Sequence, residues 1–205
     1  MTRPDTAALD RFRELLRIPT VSMPPGEPDA DGAPFVRFRD AVERLYPALH
    51  GALEREVVGG YSLLYRWRGA DAAAPLVLMA HIDVVPVVAD EWDRDPFGAE
   101  TIGTGEDAEI HARGAVDDKG ALVAILEAVE ALVTEGFTPQ RDVYLAFGHN
   151  EEVAGDGAQA IVEVLRQRGV RPSLVLDEGG AVVEGAIPGV HVPTAVIGVA
   201  ERGVM

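Results

Sequence analysis

The chain has 205 residues, with 34 Asp and Glu against 18 Lys and Arg, a formal net charge of -16 and no cysteine. Such acidity disfavours nucleic acid and anionic membranes, which both attract basic surfaces, and the lack of thiols excludes disulfides and leaves His, Asp and Glu as the side chains for any metal. A hydrophobic content of 47% suits one domain with a full core; no apolar run reaches membrane-spanning length and no basic-then-apolar leader opens the chain, so the expectation is a soluble cytoplasmic protein.

The first helix is expected over residues 6–16, with Leu9, Phe12, Leu15 and Leu16 on one face and Ile18-Pro19 as its stop. Residues 22–32 (SMPPGEPDADG) read as a loop. A second amphipathic helix carries Phe35, Phe38, Val42, Leu45, Tyr46 and Leu49. Residues 53–58 and 62–67, joined by Gly59-Gly60, read as a hairpin. Residues 76–80 form a continuous apolar strand, which predicts cover on both faces. A loop with Trp92 and Phe97 follows, then a short strand over 108–112.

The helix after Asp117-Asp118 has the clearest pattern: Leu122, Ile125, Leu126, Val129, Leu132 and Val133, with Gly136 beyond its end. Then come a strand over 143–147, a helix over 157–168, a strand over 174–176 and an apolar stretch over 195–199. Strands alternating with helices predict an α/β fold, three layers with a mixed sheet covered by helices on both faces. Ligands in such folds bind at the carboxyl ends of the strands.

Four such ends are rich in carboxylates. The 76–80 strand leads into His81 and Asp83, and the 108–112 strand into Asp117 and Asp118. The 143–147 strand leads into Glu151 and Glu152, and the 174–176 strand into Asp177 and Glu178. Taken singly, each has a plain structural reading: a hydrogen-bonded histidine, a helix cap, a solvated pair, an acidic turn. Taken together, so many carboxylates on one edge raise each other's pKa unless cations neutralise them. One neutral histidine with three ligating carboxylates carries about -3, which two divalent ions and a hydroxide bring near neutrality. Zn2+ suits these donors, with Mn2+ or Co2+ as alternatives.

The string His81-Ile82-Asp83-Val84-Val85-Pro86 resembles the first signature of the M20 metallopeptidases. Residues 113–120 (RGAVDDKG), 148–153 (GHNEEV) and 176–180 (LDEGG) are similar to the next three, in the same order. The Asp-Glu-Gly-Gly form leans toward the carboxypeptidase S-like branch. The resemblance implies a zinc-exopeptidase-like catalytic domain that hydrolyses an amide or peptide bond, as an exopeptidase or an N-acyl amino acid deacylase. His81, Asp117, Glu152 and Asp177 would bind two Zn2+, with Asp117 bridging them. Asp83 would support the far ring nitrogen of His81. Glu151 would be the general base acting on a water shared by the metals. The implied substrate is a small peptide or N-acyl amino acid, with neither nucleic acid nor membrane as partner.

The resemblance also implies parts not found in these 205 residues: a lid or dimerisation domain, and a returning segment that supplies the last metal-binding histidine. The expectation is therefore that residues 1–205 are a partial catalytic domain, with the parent protein forming a homodimer through the lid. His191, in a Pro/Gly-rich stretch, is a poor substitute for the last ligand. The alternative to a working hydrolase is a fragment that keeps the fold and partial metal binding without turnover. A nucleotide-binding α/β domain is disfavoured, because no Gly-rich phosphate loop follows the first strand and the ligand edge is acidic.

Overall fold

The computed structural model describes residues 6–24 and 32–196. Its centre is a five-stranded mixed sheet in the order β1-β2-β6-β3-β7. The strands are β1 (Glu54–Val58), β2 (Ser62–Trp67), β3 (Asp71–His81), β6 (Arg141–Gly148) and β7 (Leu174–Leu176). β1–β2 and β2–β6 pair antiparallel, while β3 lies parallel between β6 and β7. Two antiparallel pairs stand apart: β4 (Glu100–Ile102) with β5 (Glu109–His111), and β8 (Ala181–Val183) with β9 (Thr194–Val196).

Side-chain alternation sorts the central strands into two cores. Leu63, Tyr65 and Trp67 of β2, Ala80 of β3, and Val143, Leu145 and Phe147 of β6 face the larger core. There they meet α1 (Thr6–Leu16), α2 (Ala33–Leu45), α3 (Pro47–Ala52) and α4 (Lys119–Thr134). On the other face Leu64, Val77, Tyr144 and Ala146 pack against Ile161 and Leu165 of α5 (Gly157–Gln167). The expected three layers are present; of the apolar stripe of α4, Leu122, Leu126 and Val129 are buried, and Ile125, Leu132 and Val133 are partly buried against the same core.

Two expectations are corrected. The helix expected to continue through Leu49 is broken at Tyr46, whose backbone (φ -124°, ψ 64°) is not helical; Pro47 begins α3 instead. Proline lacks an N–H and clashes with the preceding turn, so it starts helices more readily than it continues them. Strand β7, part of a sheet expected to be covered on both faces, is instead an exposed edge strand, with Leu174, Val175 and Leu176 53%, 49% and 58% exposed. The apolar stretch expected over 195–199 contributes Ala195 and Val196 to β9, and its remainder lies outside the described residues.

The topology positions the site. β3, β6 and β7 are mutually parallel, so their carboxyl ends open on one edge. His81 is the last residue of β3 and is in register with Gly148, the last residue of β6.

Candidate metal centre

The segment after β3 is pinned from both sides. The Ile82 N–H donates to Gly148 O (2.7 Å), the Thr20 hydroxyl to Ile82 O (2.7 Å), and the Val84 N–H to Thr20 O (3.0 Å). His81 and Asp83 are therefore held on fixed backbone and are buried, at 2% and 0% exposure.

His81 is oriented at both ring nitrogens. Nδ1 lies 3.0 Å from the backbone carbonyl of Asp83 and 3.3 Å from Asp83 Oδ1. Nε2 faces the cleft, 2.9 Å from Asp117 Oδ1, 3.7 Å from Glu178 Oε1 and 3.9 Å from Glu151 Oε2. Burial works against the imidazolium, but the hydrogen bond and charge of Asp83, then Asp117 and Asp118, outweigh it and push the pKa up to about 10. Both nitrogens can donate together only in the charged ring. A divalent cation replacing the Nε2 proton would meet the same acceptors.

Asp83 does more than back the histidine. Its Oδ1 accepts the backbone N–H of Glu151 and its Oδ2 that of Glu152, each at 3.1 Å. Burial acts to raise its pKa, yet His81, Ser22 and the Glu151 N–H together hold it below the usual carboxylate value. One buried carboxylate thus ties the end of β3 to the turn that follows β6.

Asp117 and Asp118 take different jobs at the start of α4. Asp118 occupies the N-cap position, but its side chain makes no capping hydrogen bond. Instead its Oδ2 accepts the backbone N–H of His81 at 3.1 Å. Burial raises its pKa to about 6, with the charges of Glu178 and Asp117 adding to the rise and His81 opposing it. The plain helix-cap reading therefore fails for the Asp118 side chain. The Asp117 side chain is 61% exposed and lies open in the cleft. Gly114 and Gly120 let this loop fold tightly. A Cβ on Gly114 (φ +80°) would stand 2.7 Å from Val84 Cγ1, and one on Gly120 would stand 2.5 Å from Ala115 O.

Lys119 is fully buried behind this edge. Its ammonium donates to Leu15 O (3.1 Å) and Ile18 O (2.7 Å) and lies 5.1 Å from the centre of the Phe38 ring. Burial pulls its pKa down to about 7 despite the charge of Asp83.

His81, Asp117 and Glu178 each offer a ligand atom, all within 4.8 Å of one another, close enough for one divalent ion to serve all three. Glu152 and Glu178 both have raised pKa values, caused first by burial and next by the charge of Asp117. Carboxylates crowded in this way are what a cation relieves. The donor set, one imidazole and several carboxylates without thiol, fits zinc or a harder divalent ion.

The structure brings His81, Asp83, Asp117, Glu151 and Glu152 to one place. It puts Glu178 in the compact group with His81 and Asp117, while Asp177 and Glu152, both expected as ligands, lie outside that group. Sequence reasoning assigned no role to Glu178; adjacent carboxylates after a strand are the signal for it, and which one turns inward is a matter of local backbone. His191 is exposed and lies outside this group.

The class defined by fold and site is an α/β domain with a histidine–carboxylate candidate metal centre at the carboxyl edge of a mixed sheet. Residues 77–196 match the model of Peptidase family M20/M25/M40. The chain is 38% identical over 199 residues to the N-fatty-acyl-amino acid synthase/hydrolase PM20D1 of Xenopus tropicalis, covering 95% of this chain and 38% of that protein. It is 39% identical over 174 residues to probable carboxypeptidase S-like 2 of Dictyostelium discoideum, covering 82% of this chain and 33% of that protein. Among solved structures it resembles an M20 family metallo-carboxypeptidase from Sulfolobus solfataricus, with a TM-score of 0.65 and 26% identity over 89% of this chain and 39% of that one. The fold is also that of human carnosine dipeptidase 1 (TM-score 0.63, 20% identity, covering 86% of this chain and 39% of that one). The chain belongs to peptidase family M20/M25/M40. It spans well under half the length of the curated relatives it matches.

Proposed function

We propose that this chain is the metal-binding catalytic part of a hydrolase that cleaves the amide bond of a small peptide or an N-acyl amino acid. The observation that carries the reading is the convergence of His81 Nε2, Asp117 and Glu178 within 4.8 Å, with His81 Nδ1 already engaged at Asp83. Family membership and the names of the relatives supply the substrate class.

His81, Asp117 and Glu152, with the Asp177–Glu178 pair, would hold two divalent ions, zinc foremost with manganese or cobalt as alternatives. Bound there, such ions acidify water and polarise an amide carbonyl. Asp83 keeps the His81 Nε2 lone pair pointed into the cleft by holding Nδ1–H. Glu151 is the proton carrier: its side chain is 54% exposed, within 3.9 Å of His81 Nε2, on a turn fixed by Asp83. It takes a proton from the attacking water as the C–O bond forms and delivers it to the leaving amine as the C–N bond breaks.

A second reading is favoured by the single histidine of the metal group among the described residues and by the short span relative to the relatives. In it, the chain folds and binds metal without turnover. Metal content by elemental analysis, together with amine release from dipeptides and N-acyl amino acids, separates the two. Release that a chelator abolishes and zinc restores supports hydrolysis. Metal uptake without release supports the second reading. A chain that takes up no divalent ion overturns both.

A further inference from the structure

We propose that His149 is a positioning residue for the Glu151–Glu152 turn, clamped to strand β2 by Ser62; the inference rests on the reading of Glu151 as base and Glu152 as metal ligand. β6 leaves the sheet at Gly148, and His149 is the first residue beyond it. It is buried, and its Nδ1 shares a hydrogen bond of 2.6 Å with the Ser62 hydroxyl. Ser62, the first residue of β2, is wholly buried. A serine so enclosed has no access to substrate, so the pair is not a nucleophile and its base.

The ring of His149 is caged as well as bonded. It stands edge-on to Phe35 (centroids 6.0 Å apart, 88°) and to Tyr61 (5.6 Å, 73°), and those two rings stack on each other at 5.2 Å. The start of α5 closes against the same bond. A Cβ on Gly157 would fall 2.6 Å from Asn150 Oδ1, 2.8 Å from Ser62 Oγ and 2.9 Å from His149 Nδ1.

The turn itself is closed by short-range bonds. The Gly157 N–H donates to Asn150 Oδ1 (2.8 Å), the Gly155 N–H to Asn150 O (2.8 Å), and Asn150 Nδ2 to Asp156 Oδ1 (3.1 Å). Those bonds close the turn and tie it to the start of α5. Its position is set further by Asp83 at the Glu151 and Glu152 amides and by His149, held to Ser62 of β2 and packed against the aromatic pair. His149 thus acts through the turn and touches no reacting atom.

The test is amide hydrogen exchange by NMR on the metal-free chain, comparing wild type with Ser62→Ala, His149→Phe and His149→Asn. Asparagine can place a polar atom where Nδ1 lies; phenylalanine keeps the ring and loses the bond. Exchange at the Glu151 and Glu152 amides is expected to quicken about tenfold or more in Ser62→Ala and His149→Phe, to stay within about threefold of wild type in His149→Asn, and to be unchanged in the centre of β3 and β6. If His149→Phe does not fold, Ser62→Ala, the smaller change, decides. Unchanged exchange at the two amides, or an equal rise throughout the sheet, overturns the proposal. Zinc titration of the same variants follows: weaker uptake in Ser62→Ala than in wild type adds support. A wild type that binds no zinc defeats the metal reading while the exchange result still judges the clamp.

Discussion

The backbone N–H of Glu151 donates to Asp83 Oδ1 at 3.1 Å, so the proposed base sits on the same carboxylate that backs His81. Asparagine at position 83 keeps the shape but turns one acceptor into a donor facing an amide N–H, and it removes the charge. Hydrogen bonds to a charged group are worth roughly 1.5–3 kcal/mol each when buried. Asp83→Asn is therefore expected to lower stability in urea unfolding by about 2 kcal/mol or more and to weaken zinc binding by about 10- to 100-fold. Wild-type values for both would show that Asp83 anchors neither side.

Glu151→Gln separates catalysis from metal binding. The amide keeps the size of the side chain and leaves the backbone bond to Asp83 in place, so divalent-ion content should match wild type. Amine release should fall by about 10²- to 10⁴-fold, the usual contribution of a positioned base. Equal turnover in the variant would remove Glu151 from the mechanism.

Metal binding should be strongly pH-dependent. In the metal-free chain His81 titrates near 10, and a cation must displace its Nε2 proton. Zinc affinity is expected to rise from pH 6 toward pH 9, with proton release that calorimetry in buffers of different ionisation enthalpy can count. Proton-independent binding would place the metal away from His81. The same shift acts on folding with a definite sign. A pKa raised from 6.5 gives stability that is complete below 6.5 and is lost as pH climbs through about 10.

The sequence carries some of these features plainly and others not at all. Strands β2 and β7 have the expected bounds to the residue, because alternation or an apolar run is bracketed by Gly, Pro or Asp. β4 and β8 pass unread, since three residues give no measurable period. The exposure of β7 is invisible in an apolar triplet, because burial depends on what lies next to a strand. At the site, the His and acidic residues are legible from their places at strand ends. The division of labour between Asp117 and Asp118, or between Asp177 and Glu178, is not, because neighbours in sequence diverge only once the local backbone is set. The bond between Ser62 and His149 joins residues 87 apart and has no local signal.

The choice between Asp177 and Glu178 can be resolved by substitution. Glu178 lies with His81 and Asp117, while Asp177 precedes it at the end of β7. Glu178→Gln and Asp177→Asn each remove one charge with little change of shape. If the geometry of the metal-free chain persists on loading, Glu178→Gln loses an equivalent of zinc in elemental analysis and Asp177→Asn keeps it. The reverse result would mean that metal binding draws Asp177 inward in place of its neighbour.

Lys119 offers a test of the electrostatics behind the site. Its pKa is depressed from 10.5 to about 7 by burial, so between those values the unfolded chain holds more protons than the folded one. Stability contributed by such a group rises with pH across that window, opposite in sign to His81. In the metal-free wild type the two slopes oppose each other. Lys119→Met removes the rising one and leaves the falling one. Urea unfolding from pH 7 to pH 9 should therefore show wild type gaining on the variant by up to about 1.4 kcal/mol per pH unit. A difference that stays constant over this range would mean that Lys119 keeps its charge in the folded chain, held by Leu15 O, Ile18 O and Asp83 more firmly than burial opposes it.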